Sequence, residues 1–244
     1  MKEVSKKYKK GNSEEKLADT AVNDAVKGIE IEKLVPINTS NVPAKKLKQE
    51  IVKTAKALYE KGLITVLGGN ISARIPKREE IWITPSRLCK SELREGDLVK
   101  IDLNGNILEG KQKPSVEKLM HIHIYKARPD AHAVIHAHNP LTLALITAGL
   151  PLEPATVEAE VLLGKPEVLP PLAPGSEELA DAVEKAASEG AKLIILEKHG
   201  VVGIGRSLLE ARAVVELAED ISKIILISHL LGNRNKSILS SKRR

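Results

Sequence analysis

Cysteine and aromatic residues are scarce in this sequence of 244 residues. The single cysteine, Cys89, excludes an intramolecular disulfide and a Cys-x-x-Cys metal site, which leaves imidazole and carboxylate groups as the plausible metal ligands. The chain has no Phe, one Trp and three Tyr, so few side chains are available to stack on single-stranded nucleic acid. Aliphatic side chains must therefore fill the core.

Long hydrophobic runs are also missing. No segment approaches the roughly 18 to 20 apolar residues of a membrane span, and the lysine-rich start lacks the apolar stretch of a signal peptide. We therefore expect no membrane insertion and no secretion, with the cytoplasm as the compartment. Much of the net charge of +6 comes from lysines and arginines at the two ends, which is typical of solvated tails, so we expect no nucleic-acid partner.

The remaining composition suits one large domain, because 42% of the residues are hydrophobic and can build a substantial core. Residues 1–42 are polar and charged and are predicted to be a partly ordered extension. Residues 43–232 are predicted to form the domain, and residues 233–244 a basic tail. The domain should open with a helix over residues 43–61, where apolar residues recur at helical spacing before Gly62.

Three histidines form the most informative pattern. Residues 133–138 are predicted to be a strand that ends before Pro140, so His136 and His138 point to the same face. His199 follows a buried apolar run and could provide a third imidazole. Three histidines can hold a catalytic zinc ion, whereas the alternative for each alone is a hydrogen-bonded core histidine. His121, His123 and His132 are left out of this set.

Small polar residues stand at two strand exits. Residues 63–67 and 71–74 both look like strands, joined by the Gly-Gly-Asn sequence at residues 68–70. That sequence favours a plain turn, but its N–H groups and amide could also bind an anion. A further short strand ends at Ser86 and Arg87, so both loops could serve one pocket.

The next stretch carries a hairpin and a helix start. Asn104 and Gly105 favour a tight hairpin turn. Pro114 and Ser115 then mark the start of a helix that Ser115 could cap. Glu117 is predicted to lie in the first turn, where the helix dipole favours the ionised carboxylate. A glutamate at such a position is usually an ordinary surface residue.

Glycines at residues 200–205 look superficially like a dinucleotide-binding loop. Their order is GxxGxG rather than GxGxxG, so we predict no dinucleotide site. Ser207 and Glu210 form a capping box, which predicts a long helix after this stretch.

Taken together, six ordered motifs make the chain resemble the class II aldolase and adducin family over roughly residues 46–232. They are GGNIS ending at Ser72, ITPS ending at Ser86, GDLVKIDLNGNILEGKQKPSVE ending at Glu117, HAHNP starting at His136, PGSEEL starting at Pro174 and EKHGVVGIG starting at Glu197.

The resemblance implies a three-layer αβα sandwich with a mainly antiparallel central sheet, assembled as a homotetramer. It implies a zinc-dependent aldolase of small ketose 1-phosphates, with one zinc ion per chain. By motif matching, the zinc ligands are His136, His138 and His199, and Glu117 is the catalytic acid/base that can also touch the metal. The implied phosphate-binding residues are Gly69, Asn70, Ser86, Arg87, Ser115 and Val116.

Two residues depart from the family's usual phosphate loops. Val116 stands where these aldolases usually carry a small hydroxyl residue, and Arg87 stands where they carry glycine. A tyrosine that some of them place after the histidine strand has no match in residues 156–164. Related epimerases, dehydratases and decarboxylases share the metal site and remain alternatives. A non-enzymatic adducin-like interaction domain is a further alternative, although such domains lack the histidines.

Overall fold

The computed structural model of the chain describes residues 43–241, and the predicted extension at residues 1–42 lies outside them. The helices are α1 (Ala44–Glu60), α2 (Lys118–Ala127), α3 (Pro140–Thr147), α4 (Val157–Leu163), α5 (Glu177–Ser188) and α6 (Leu208–Ser241). The strands are β1 (Asn70–Ala73), β2 (Glu80–Ile83), β3 (Val99–Asp102), β4 (Ile107–Glu109), β5 (Ala133–Ala137), β6 (Glu167–Leu169), β7 (Leu193–Leu196) and β8 (Gly200–Gly205).

A single sheet of eight strands organises these elements. Its order is β4-β3-β2-β1-β5-β8-β7-β6, and every neighbouring pair is antiparallel except β6 and β7. The predicted mixed α/β class with a mainly antiparallel sheet is thus confirmed. The two central strands are β1 and β5, and their register sets Asn70 opposite His136.

Alternate residues of the central strand β5 enter two hydrophobic clusters. Ile135 belongs to the cluster that includes residues of α1 and α6, whereas Val134 belongs to the cluster that includes residues of α2 and α5. This division follows from the two-residue period of a strand. His136 shares the parity of Val134 and is completely buried.

The helix α1 confirms the helix predicted over residues 43–61. Four apolar residues at helical spacing, Leu47, Ile51, Ala55 and Leu58, are buried along one side. Burying each large aliphatic side chain contributes about 1.5 to 3 kcal/mol. The helix ends at Glu60, and Gly62 follows with a left-handed φ of 72° that glycine tolerates.

The prediction of a strand over residues 63–67 is wrong. The backbone hydrogen bonds of these residues go to separate segments. The Leu63 carbonyl accepts from the His138 N–H, and the Val66 carbonyl accepts from the Lys90 N–H. Bonds to two different partners cannot form a ladder. Although the run is apolar, Val66 and Leu67 are exposed. The segment is a loop that connects α1 to β1.

The start of α2 also differs from the prediction. The helix begins at Lys118, so Glu117 occupies the N-cap position rather than the first turn, and Ser115 is not the cap. The Ser115 hydroxyl instead accepts a hydrogen bond of 3.2 Å from the Glu117 N–H. Glu117 therefore lies in the turn before the helix, and its side chain is not part of the regular helix surface.

The remaining predictions of local structure agree with the fold. The hairpin of β3 and β4 turns at Gly105, which has a φ of 85°. The glycine-rich stretch forms the strand β8. The helix α6 follows Ser207 as predicted and continues past residue 232 to Ser241. Among residues 43–241, no helix combines the length and apolarity that a membrane crossing requires.

Candidate metal centre

The three predicted histidine ligands converge in space. His136 lies on β5, His138 follows that strand directly, and His199 lies in the turn between β7 and β8. Because β8 pairs with β5, this turn is brought to the end of the histidine strand. One ring nitrogen from each residue lies within 4.8 Å of the other two.

The orientation of His136 is fixed by the backbone of β8. Its Nδ1 lies 3.0 Å from the Val201 carbonyl oxygen, which can only accept, so Nδ1 carries the proton. The Nε2 lone pair then faces the site, where His138 Nε2 lies 3.2 Å away. Two nitrogens bound to one zinc ion at about 2.0 to 2.1 Å stand about 3.4 Å apart in a tetrahedral arrangement. The spacing in this chain is close to that value.

Burial also sets the charge of these imidazoles. It lowers the pKa of His136 to about 4 and lowers that of His138. Both rings are consequently neutral at pH 7, the form in which histidine binds a metal.

Glu117 completes this group of donors from the opposite side. It is buried, and its Oε1 lies 3.1 Å from His199 Nε2 while its Oε2 lies 3.4 Å from His136 Nε2. Burial acts to raise the pKa of Glu117, but the contacts with His199, His136 and Asn70 outweigh it and lower the pKa to about 2. Three imidazole nitrogens and a carboxylate form a donor set that fits zinc.

Two glycines make room for the histidine rings. A Cβ atom added to Gly68 would lie 2.5 Å from His138 Cε1. One added to Gly200 would lie 2.2 Å from the Ala137 carbonyl oxygen and 2.9 Å from His136 Cε1. Such distances are far inside van der Waals contact, so a larger residue at either position would displace the rings. The Gly-Gly-Asn turn therefore serves the histidines as well as the pocket beside them.

The predicted phosphate-loop residues surround one pocket of about 340 Å³ next to the histidines. All six contribute to its lining: Gly69, Asn70, Ser86, Arg87, Ser115 and Val116. Glu117, His138 and His199 line the same pocket. Two backbone hydrogen bonds join the loops, from Ser86 N–H to the Lys113 carbonyl at 3.0 Å and from Ser115 N–H to the Thr84 carbonyl at 3.2 Å.

Arg87 and Val116 differ from their neighbours in this pocket. Arg87 is exposed and has a left-handed φ of 59°, a conformation that costs a residue with a Cβ about 1 kcal/mol or more. Val116 is 69% exposed and offers no side-chain donor. A glycine could adopt this left-handed conformation without strain. The presence of arginine at position 87 therefore makes the backbone conformation less favourable than glycine would.

Sequence reasoning missed two buried residues of this region. His121 is completely buried and contacts Asn70 and Ser72. Its position four residues after Glu117 was the available signal, because helix residues at that spacing share a face. Lys90 is 2% exposed, lines the pocket and donates to the Pro85 carbonyl at 3.2 Å. Its surrounding sequence gives no comparable signal.

Comparison with known proteins agrees with these features. The family model described as "Class II Aldolase and Adducin N-terminal domain" matches residues 49–226. An L-fuculose phosphate aldolase of Methanocaldococcus jannaschii is 33% identical over 184 residues, which cover 75% of this chain and 98% of that protein. A 3-oxo-tetronate 4-phosphate decarboxylase of Haemophilus influenzae is 31% identical over 182 residues, which cover 72% of this chain and 85% of that protein.

Solved structures give the same result. An L-fuculose 1-phosphate aldolase superposes with a TM-score of 0.71 at 34% identity, covering 79% of this chain and 91% of that one. The L-fuculose-1-phosphate aldolase of Thermus thermophilus superposes with a TM-score of 0.69 at 30% identity, covering 78% of this chain and 97% of that one.

Proposed function

The chain belongs to the class II aldolase and adducin family, and from this premise we propose that it is a zinc-dependent aldolase of a small ketose 1-phosphate. Its products in the cleavage direction would be dihydroxyacetone phosphate and an aldehyde. The observation that carries the proposal is the convergence of His136, His138, His199 and Glu117. All of them except the fully buried His136 line one pocket. Family membership supports an enzyme of the lyase class.

The proposed metal ligands are His136, His138 and His199, with Glu117 close enough to touch the metal as well. A zinc ion held there would supply Lewis-acid stabilisation to the oxyanion that develops when the carbon–carbon bond breaks. The support for zinc is the donor set itself, since three neutral imidazoles and a carboxylate are ligands that this ion prefers.

Glu117 is the proposed acid/base. Its lowered pKa makes it a carboxylate at neutral pH, which is the form that accepts a proton. In the condensation direction it would remove a proton from the carbon next to the carbonyl of dihydroxyacetone phosphate, and in the cleavage direction it would return that proton. Its buried position at the pocket wall would keep the carboxylate close to the carbon of a substrate bound in the pocket.

The phosphate group of the substrate would bind at Gly69, Asn70, Ser86, Arg87, Ser115 and Val116. Val116 could contribute only its backbone, so we propose that the guanidinium of Arg87 replaces the missing side-chain donor. A charge-assisted contact with phosphate contributes roughly 1.5 to 3 kcal/mol when it is partly shielded from water. The strained backbone of Arg87 supports this role, because strain of this kind collects at functional sites.

The proposal extends to architecture and assembly. Residues 43–232 would form a three-layer αβα sandwich that assembles as a homotetramer, with residues 1–42 as an extension and residues 233–244 as a basic tail. The division of the buried residues into two clusters supports the layered arrangement.

A decarboxylase acting on a sugar-acid phosphate is the second candidate function. It is favoured by the relatives named 3-oxo-tetronate 4-phosphate decarboxylase, which are 31% identical to this chain. Both reactions break a carbon–carbon bond next to a carbonyl and leave a negative charge that the same site could stabilise. The identity of the leaving fragment therefore separates them.

Product analysis tests the two functions directly. The zinc-loaded protein would be incubated with dihydroxyacetone phosphate and a panel of small aldehydes, and separately with 3-oxo-tetronate 4-phosphate. An aldolase yields a ketose 1-phosphate with the summed mass of its two substrates, whereas a decarboxylase releases carbon dioxide. The aldolase proposal fails if no aldehyde gives an adduct and carbon dioxide is released in the second reaction.

A further inference from the structure

A row of buried polar residues extends from Asn70, which lines the pocket beside Glu117, to Tyr125 in the interior. On β1, Asn70 and Ser72 point to the same side, because strand residues two apart share a face. On α2, His121 and Tyr125 share a face because they are four residues apart. Four helix residues span about 6 Å and two strand residues about 6.7 Å. The spacing of the two side chains on α2 therefore matches the spacing of the two side chains on β1.

The polar residues of β1 and α2 are connected by a continuous series of hydrogen bonds. Tyr125 Oη lies 2.9 Å from Ser72 Oγ, and Ser72 Oγ lies 2.7 Å from His121 Nδ1. His121 Nε2 then contacts Asn70 Oδ1 at short range. Finally, Asn70 Nδ2 donates to Glu117 Oε2 at 2.7 Å. All five side chains are buried.

The hydrogen bond from Asn70 to Glu117 sets the direction of every other hydrogen bond in this row. An ionised carboxylate only accepts, so the Asn70 amide must turn its Nδ2 toward Glu117 and its Oδ1 toward His121. The Oδ1 atom is also an acceptor, so His121 must carry a proton on Nε2. A neutral imidazole has one N–H, which leaves Nδ1 to accept from the Ser72 hydroxyl. Ser72 then accepts from Tyr125.

We propose that His121 is a positioning residue of this site: as a neutral imidazole protonated on Nε2, it holds the Asn70 amide with Nδ2 facing the Glu117 carboxylate. If the amide turned over, its oxygen would face the carboxylate and repel it. The fixed amide keeps Glu117 Oε2 hydrogen-bonded to Asn70 and leaves Glu117 Oε1 beside His199. Burial lowers the pKa of His121 to about 3, in agreement with a neutral ring.

This inference rests on the proposed function for its catalytic consequence, although the tautomer can be measured without any activity. Nitrogen NMR of the imidazole rings distinguishes an Nε2–H from an Nδ1–H tautomer. The wild-type spectrum between pH 6 and 8 should contain a ring protonated on Nε2 that is absent from His121→Gln. A charged ring, or one protonated on Nδ1, would overturn the proposal.

Kinetics then test the positioning role. Removing a residue that orients a site ligand typically costs ten- to a hundredfold in activity, so His121→Leu should lower kcat by about that factor. KM for the phosphorylated substrate and the zinc content should change little. His121→Gln, whose amide can donate to Asn70 Oδ1, should restore most of kcat. His123→Gln, on a different face of α2, serves as the matched control.

A double-mutant cycle separates positioning from a general effect on folding. In an Asn70→Ala background, His121→Leu should cause no further loss of kcat, because the amide it positions is gone. Equal losses in both backgrounds, or losses that follow the melting temperature in the Leu and Gln variants alike, would contradict the proposal. If the wild type catalyses no aldol reaction while the NMR shows the Nε2–H tautomer, the proposed function fails and the structural assignment stands.

Discussion

The two halves of the pocket differ in how they are held. On the histidine side, His136 and Glu117 are buried, and hydrogen bonds within the central sheet and from Asn70 fix them. On the loop side, Arg87 and Val116 are exposed, and Arg87 has a strained backbone. The buried half is suited to one unchanging chemistry, whereas the exposed half can vary with the substrate.

Removing one metal ligand should have the largest effect on the buried half. The wild type, purified without chelator, should contain about one zinc ion per chain, and His136→Ala should lose most of the metal and all measurable turnover. Elemental analysis provides the measurement. His229→Ala, which changes an exposed histidine on α6, should keep its metal. Undiminished metal in His136→Ala would remove the distinction between the two halves.

Neutralising Glu117 should affect the reaction more than the structure. The Glu117→Gln variant should keep its fold and much of its zinc while turnover falls by about two orders of magnitude or more, the usual scale for a general acid/base. The control is Glu60→Gln, which changes an exposed glutamate on α1. Near-normal cleavage by Glu117→Gln would assign the base to another residue.

On the exposed half, Arg87→Gly should separate binding from stability. For a phosphorylated ketose, kcat/KM should fall about ten- to a hundredfold, with little change for the unphosphorylated ketose. Relief of the left-handed backbone should raise the free energy of unfolding by about 1 kcal/mol.

Lys77→Gly is the matched control for that variant. Lys77 is exposed, has a φ of 64° and does not line the pocket, so its replacement should stabilise the protein equally without affecting kinetics. If Arg87→Gly loses activity equally on both ketoses, or on neither, Arg87 does not bind the phosphate.

The smallest effect concerns the pH dependence of stability in the buried half. The pKa of His121 is lowered by burial from 6.5 to about 3. Below pH 6.5 the His121 imidazole is therefore protonated in the unfolded chain but remains neutral in the folded chain. This contribution is complete above pH 6.5 and is lost as the pH falls, at up to about 1.4 kcal/mol per unit.

Urea unfolding of the metal-free protein at pH 7 and pH 5 gives the measurement. Between these values His121→Gln should lose up to about 2 kcal/mol less stability than the wild type. His229→Gln, which changes an exposed histidine on α6, is the control. Identical pH dependence in wild type and His121→Gln would show that the ring is not held neutral.

Only part of the buried half could be predicted from the residues themselves, for physical reasons. The alternation of a strand sets His136 and His138 on one face, and this period can be read directly from the residues. The convergence of His199 required the pairing of β8 with β5, which the spacing of residues does not reveal. The proposed role of Glu117 came from the resemblance alone, since its own position suggested an ordinary surface glutamate.

Backbone conformation accounts for most of what the sequence could not predict. The apolar residues 63–67 looked like a strand, but their hydrogen bonds go to two separate segments. The strain at Arg87 depends on a φ angle that no sequence pattern indicates. His121 could have been found from its spacing to Glu117, whereas the burial of Lys90 depends on how its loop folds back onto the pocket.

The three histidines come from distant parts of the chain, and this separation has a consequence for unfolding. His136 and His138 are separated from His199 by α3, α4, β6, α5 and β7. An ion bound to all three would act as a crosslink that closes this long loop, which limits the freedom of the unfolded chain much as a disulfide does. The ligands meet only after β5 and β8 have paired, so the crosslink would form late in folding. It would therefore slow unfolding far more than it speeds folding.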